Sequence, residues 1–230
     1  MPTTRKTINV AVPEAVIFDM DGLMFDSERL YKDAWQSAAA ELGFPISDDL
    51  YHELIGRGNP EGEAILCERL GDGFPVDLFR ERWIERWRET VRTDRVRVKP
   101  GLSELLALLE SRKIPMAVAT STPRREALLT LGGMTARFAA IVTGDEVARG
   151  KPAPDILLVA AVKLGVEPSR CVVLEDSEPG ILAARAAGMA VIAVPDIKPP
   201  SREVAEQADA VVESLHDVRR LWTQKPDSGA

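Results

Sequence analysis

Apolar residues along this chain fall into two registers. The first is a set of short unbroken runs: AVIFD (15–19), IPMAVATS (114–121), FAAIVTG (138–144), CVVLED (171–176), AVIAVP (190–195) and ADAVVES (208–214). Runs this short, rich in Val, Ile and Ala and without polar alternation, predict strands buried on both faces of a parallel sheet. The second register is helical. GLSELLALLESRK carries Leu102, Leu105, Leu106 and Leu109 on one face. Thr122–Pro123 reads as an N-cap and first-turn proline ahead of REALLTLGG, and Pro154 and Pro179 open DILLVAAVKLG and GILAARAAG in the same way. Strand, helix and strand in repetition predict a doubly wound α/β fold.

The first unit breaks that rhythm. From Asp19 to Ile114 there are about 95 residues, far too many for one crossover between parallel strands. The interval shows helical patterns and little strand signal: SERLYKDAWQSAAAELG, DDLYHELIG, then EGEAILCERLG capped by Asn59–Pro60, then VDLFRERWIERWRETVR. In the last, Leu78, Phe79, Trp83, Trp87 and Val91 stand near helical spacing. The pattern therefore predicts an all-helical domain over 27–95, inserted into an α/β core built from 1–26 and 96–230. Its tryptophans are expected to pack the helical core, with stacking on a ligand as the alternative.

Composition narrows the classes of function. The 230-residue chain carries a net charge of −7, with a pI near 5.1, which argues against nucleic acid or an anionic membrane as the main partner. Cys67 and Cys171 are the two cysteines and stand far apart, so no disulfide framework is implied and a reducing, cytoplasmic setting is expected. No apolar run approaches the ~20 residues needed to span a bilayer. MPTTRKTINVAVPEA has no apolar stretch ahead of the first strand and reads as a short lead, as TQKPDSGA reads as a tail. His52 and His216 have no acidic or cysteine partner close in sequence. A monomer is the default expectation.

The chemistry lies at the strand ends. In open α/β sheets, ligands sit beyond the carboxyl ends of the strands. Those ends carry Asp19 and Asp21 after the first strand, Thr120 and Ser121 after the second, and Glu175 and Asp176 after the fourth, with Lys151 in GKPAPD after the third. Two aspartates one residue apart at an apolar strand tip repel each other, and nothing in stability alone favours them. Several carboxylates, hydroxyls and a lysine converging on one place are the ingredients of a Mg²⁺-assisted phosphoryl site. Hard oxygens hold the ion, and the lysine and a hydroxyl neutralise the phosphate.

DMDG at the first strand end, Thr120 after AVA, Lys151 in KPAPD and Glu175–Asp176 in LEDS resemble, in order, the four motifs of the haloacid dehalogenase superfamily. The resemblance spans nearly the whole chain. The helical insert after the first motif is similar to the cap of the subfamily holding β-phosphoglucomutase, phosphoglycolate phosphatase and small sugar-phosphate phosphatases. It implies Asp19 as the nucleophile. Asp21 would be the acid that protonates the leaving group and then the base that activates water. Mg²⁺ would bind Asp19, the backbone carbonyl of Asp21, and Asp176, with Glu175 either a direct ligand or one layer behind. Thr120 and Lys151 would hold the transferring phosphate. Ser121 would help them, cap the following helix, or do both.

Other chemistries lack their motifs. There is no GxxxxGK[ST] loop and no GxSxG elbow, GDGFPV fails the dinucleotide pattern, and neither cysteine has an arginine six residues on. Dehalogenase action is disfavoured by Asp21, which the resembling dehalogenases lack. The resemblance leaves phosphatase and mutase to be separated. β-Phosphoglucomutases carry a histidine where this chain has Tyr31, and a phosphate-binding arginine where it has Asn59; Arg57, in LIGRGNP, stands close enough to replace it. The expectation is a Mg²⁺-dependent phosphatase of small phosphomonoesters, sugar phosphates foremost, acting through an aspartyl-phosphate. A β-phosphoglucomutase-type mutase is the alternative, and a binding module that has lost its chemistry a more distant one. Arg57 and Asn59 are the candidate substrate contacts from the cap, though Arg57 also suits a cap–core salt bridge. Linkers near 24–27 and 95–100 are the expected hinges.

Overall fold

The computed structural model describes residues 12–55, 59–93 and 96–223, with Asn59 and Pro60 described by backbone alone. The chain opens with β1 (Ala15–Phe18) and then four helices, α1 (Glu28–Glu41), α2 (Asp48–Leu54), α3 (Asn59–Leu70) and α4 (Val76–Thr93). After α5 (Leu102–Ser111) the alternation begins: β2 (Met116–Thr120), α6 (Arg124–Leu131), β3 (Ala140–Thr143), α7 (Asp155–Leu164), β4 (Cys171–Glu175) and α8 (Glu178–Ala186). It closes with β5 (Ala190–Ala193), α9 (Arg202–Ala205), β6 (Ala210–Val211) and α10 (Leu215–Thr223). The strands form one parallel sheet in the order β3-β2-β1-β4-β5-β6. Strand order reverses direction at β1, so a crevice opens beyond the carboxyl ends of β1 and β4. No described helix is long and apolar enough to cross a membrane.

Side chains of β1 alternate between two apolar layers. Val16 and Phe18 pack on one face with Leu102, Leu105, Leu106 and Leu109 of α5 and with Leu215, Val218 and Trp222 of α10. Ala15 and Ile17 pack on the other face with α7 and α8, through Ile156, Leu157, Ala160 and Ile181. With both faces covered, unbroken apolar runs are what these strands require, which is why they are visible in the sequence.

A third apolar cluster lies wholly within α1–α4 and the turns between them. Tyr31 stacks on Trp87 with centroids 5.3 Å apart and planes at 18°, while Trp35 meets Phe79 edge-on at 5.3 Å and Trp83 at 5.6 Å. Phe79, Trp83 and Trp87 recur every four residues and so form one stripe down α4. The tryptophans of α4 are core residues. Leu78 falls one position off that stripe and is 41% exposed, so the helical spacing overcounted it. The two strands linking the helices to the sheet pair with each other. Asp26 N–H donates to Arg97 O at 2.9 Å, and Lys99 N–H donates to Met24 O at 2.9 Å.

Two local expectations are corrected. Pro123, not Thr122, holds the cap position of α6, and Thr122 turns its hydroxyl elsewhere. Asn59 is already the first residue of α3 rather than a cap ahead of it. The stretch expected to be a tail lies, beyond Thr223, outside the described residues; α10, ahead of it, is tied to α5 by Arg112 Nη1 donating to Trp222 O at 2.8 Å.

Trp87 is fully buried at the centre of the helical cluster. Trp87→Ala is expected to lower unfolding stability by about 3–5 kcal/mol, read from urea melts. A loss below about 1 kcal/mol would mean that the stack against Tyr31 is not a packed core.

Candidate active site

The peptide after β1 is held by the sheet and then turned sharply. Asp19 N–H still bonds Leu174 O of β4 at 3.0 Å, so the Asp19 carboxylate leaves the sheet at a fixed point beside Glu175. Beyond it, Gly22 N–H bonds Phe25 O at 2.9 Å and Met24 N–H bonds Met20 O at 2.9 Å, while Met20, Leu23, Met24 and Phe25 are buried. The apolar residues of DMDGLMF therefore anchor the turn that carries Asp21. Gly22 has φ +82°, and a Cβ there would lie 2.2 Å from Asp176 Oδ2. Only glycine admits both the left-handed backbone and the adjacent carboxylate. A Cβ on Gly180 would likewise fall 1.9 Å from Glu175 Cδ, so the first turn of α8 presses directly on that side chain.

Lys151 joins the strand ends. Its Nζ donates to Asp19 Oδ1 at 2.6 Å, to Glu175 Oε1 at 2.5 Å and to Ala119 O at 3.1 Å. An ammonium has three protons, and all three are used. Glu175 is 0% exposed, and its Oε2 accepts from Asp176 N–H at 3.1 Å, Ser177 N–H at 3.1 Å and Ser177 Oγ at 2.9 Å. Both of its oxygens are thus engaged by the protein.

Asp21 is held differently, by hydroxyls. Ser27 Oγ donates to Oδ1 at 2.6 Å, Thr122 Oγ1 to Oδ2 at 2.6 Å, and Thr120 Oγ1 to Oδ2 at 3.4 Å. The hydroxyl of Tyr31, on α1, reaches Thr122 Oγ1 at 3.4 Å. Ser27 and Thr122 were not among the site residues expected from the sequence; they stand one and two residues ahead of α1 and α6, and each gives its hydroxyl to the buried carboxylate. Ser121 lines the cavity, and a Cβ on Gly144 would meet its carbonyl at 2.3 Å, which pins the loop after β2.

One carboxyl oxygen from each of Asp19, Glu175 and Asp176 can be taken with all three within 4.8 Å of one another. Four carboxylates, those of Asp19, Asp21, Glu175 and Asp176, gather around the single ammonium of Lys151. Burial raises the carboxyl pKa of Asp19, Asp21 and Asp176, and Lys151 lowers it again only in part. Such a site, with hard oxygen donors and unbalanced negative charge, fits a divalent cation.

The cavity encloses about 760 Å³ of empty space, its open mouth included. Its inner end is formed by Asp19, Asp21, Thr120, Ser121, Lys151 and Asp176, so six of the residues expected from the sequence are brought together, with a seventh, Glu175, bonded to Lys151 beside them. Its outer end is formed by Glu28, Tyr31, Trp35, Tyr51, Leu54 and Ile55. Arg57 and the Asn59 side chain lie outside the described residues.

Lys151→Met is expected to lower stability by about 3–5 kcal/mol in urea melts, because it leaves Asp19 and Glu175 buried against each other without a counter-charge. A change under about 1 kcal/mol would contradict that electrostatic arrangement. Burial, with Asp21 and Asp196 nearby, pushes the Glu28 carboxyl from 4.5 up to about 7. The folded chain then holds this proton more tightly than the unfolded one, so its contribution to stability is full below pH 4.5 and lost as pH rises through about 7. Glu28→Gln is therefore expected to be more stable than the parent at pH 8, by up to about 3 kcal/mol, and the two should converge below pH 4.5. A difference that does not change with pH would contradict it.

Comparison with known proteins agrees with this arrangement. A family model for haloacid dehalogenase-like hydrolases matches residues 13–188. The phosphorylated carbohydrates phosphatase of Thermotoga maritima is 39% identical over 210 residues, covering 90% of this chain and 89% of that protein. The fructose-1-phosphate phosphatase YqaB of Escherichia coli K12 is 37% identical over 187 residues, covering 78% and 95%. Among solved structures, CbbY from Rhodobacter sphaeroides in complex with phosphate superposes with a TM-score of 0.81 at 29% identity, covering 90% of this chain and 96% of that one.

Proposed function

The chain belongs to the haloacid dehalogenase-like hydrolase family as a phosphoric monoester hydrolase, and from that premise we propose that it hydrolyses small phosphomonoesters, sugar phosphates foremost, through a phosphate ester on Asp19. The observation that carries the reading is the position of the Asp19 carboxylate, locked beside Lys151 at the switch point of the sheet. In this reading residues 27–95 form a cap over a core made of 1–26 and 96–230. Mg²⁺ would be held by Asp19, Asp176 and the backbone carbonyl of Asp21. Glu175 would stand one layer behind, because both of its oxygens are already taken. When bound, the ion supplies positive charge that lets these buried carboxylates stay ionised and accepts charge from the phosphate.

The chain's own groups then divide the work. The Asp19 carboxylate attacks phosphorus and the bond from phosphorus to the leaving oxygen breaks. Asp21 gives its proton to that oxygen. Water enters, Asp21 takes a proton from it, and attack on the same phosphorus breaks the bond to Asp19 and frees phosphate. Ser27 and Thr122 hold Asp21 in place through its two oxygens. Lys151, Thr120 and the backbone at Ser121 stabilise the charge on the transferring group.

Tyr31 favours water over a second sugar hydroxyl as the acceptor. Its ring is stacked on Trp87 and its hydroxyl is directed at Thr122, so α1 offers no imidazole there to activate a sugar. The expected partner is a small phosphorylated metabolite, met by a monomer in the cytoplasm, in keeping with the unpaired Cys67 and Cys171.

The test is phosphate release from a panel of phosphomonoesters with Mg²⁺, including hexose 6-phosphates, fructose 1-phosphate and β-glucose 1-phosphate, with Asp19→Asn alongside. Release that falls by at least roughly 10³-fold in the variant is expected. Conversion of β-glucose 1-phosphate to glucose 6-phosphate without phosphate release would replace this reading with the mutase.

A further inference from the structure

The two ends of the cavity differ in charge, and the difference bears on the leaving group. Among the described lining residues Lys151 is the only cation, and its three protons are already committed to Asp19, Glu175 and Ala119. The outer end is lined by Glu28, Tyr31, Trp35 and Tyr51. Among the described residues no cation pairs with Glu28, and the Tyr51 hydroxyl donates to its backbone carbonyl at 3.3 Å. Glu28 also lines an adjoining cavity, together with Asp176 and Glu178, where Lys198 is the one described cation. A group leaving the phosphate therefore points toward carboxylates.

Resting on the phosphatase reading, we propose that Glu28 selects the leaving group, so that the enzyme takes monophosphates of neutral, hydroxyl-bearing compounds and rejects those bearing a second anionic group. Hydroxyls donate charge-assisted hydrogen bonds to a carboxylate. A carboxylate or second phosphate on the substrate would instead be desolvated against Glu28, with which no described cation pairs, and like charges juxtaposed in an interface are strongly unfavourable.

Pairs that differ by one anionic group test this. kcat/KM would be measured at pH 8 with Mg²⁺ for glycerol 3-phosphate against 3-phosphoglycerate, glucose 6-phosphate against 6-phosphogluconate, and fructose 1-phosphate against fructose 1,6-bisphosphate. The parent enzyme is expected to prefer the neutral member of each pair by roughly 100-fold, and Glu28→Gln to narrow the gap to roughly 10-fold or less. Inhibition of the parent by sorbitol but not by gluconate at equal concentration is expected as well, and it needs no variant to fold. Equal or better turnover of the acidic members, or a gap unchanged in Glu28→Gln, would overturn the proposal and leave the phosphatase standing. Failure to release phosphate from any compound above the level of Asp19→Asn would instead overturn the phosphatase reading and this proposal with it.

Discussion

A single ammonium group holds the site together. Lys151 reaches back from the loop after β3 and gives one proton each to Asp19 on β1, Glu175 on β4 and the carbonyl of Ala119 on β2. Three adjacent strand ends are thus cross-linked by one buried charge. Without it, two carboxylates would sit desolvated side by side, a state costing several kcal/mol. With it, Asp19 keeps one fixed orientation toward the cavity. Both oxygens of Glu175 are engaged by Lys151 and the turn into α8, and one oxygen from each of Asp19, Glu175 and Asp176 lies within 4.8 Å of the others.

The second constraint is closeness of backbone. Gly22 against Asp176, Gly180 against Glu175 and Gly144 against Ser121 are approaches that a methyl group would obstruct. The first two bring backbone against the Asp176 and Glu175 side chains and the third against the Ser121 carbonyl, so the geometry is set before any ligand arrives. The helical layer is joined to this rigid centre by few polar contacts. Tyr31 meets Thr122, and Arg88 on α4 pairs with the buried Glu126 on α6. Because Thr122 also holds Asp21, that carboxylate and the helical layer share a hydroxyl. A displacement of α1 would be felt at Asp21 first.

Much of this was legible in the sequence, for physical reasons. A strand buried on both faces has to be continuously apolar, so each run of Val, Ile and Ala marked a strand, and the first polar residue after it marked the strand end. Asp19, Thr120, Glu175 and Asp176 were placed there from the sequence, and Lys151 in its loop, and the structure brings them together. What sequence could not separate was competition for the same side chain. Ser27 stands before α1, and Thr122 was expected to cap α6; both hydroxyls donate to Asp21, a buried carboxylate that accepts strong charge-assisted hydrogen bonds. Instead, Asp145 accepts from Arg124 N–H at the start of α6, at 3.1 Å. Glu28 gave no signal at all. Its meaning comes from a cavity assembled out of α1, α2 and three strand ends that lie far apart in the chain.

The central claim is that phosphate passes through Asp19. Quenching the enzyme during turnover of a phosphomonoester with borohydride, which reduces an acyl phosphate to an alcohol, and then mapping peptides by mass would test it directly. The account predicts homoserine at position 19, absent when substrate is omitted. Phosphate release with position 19 unmodified, or reduction at another acidic residue, would contradict it.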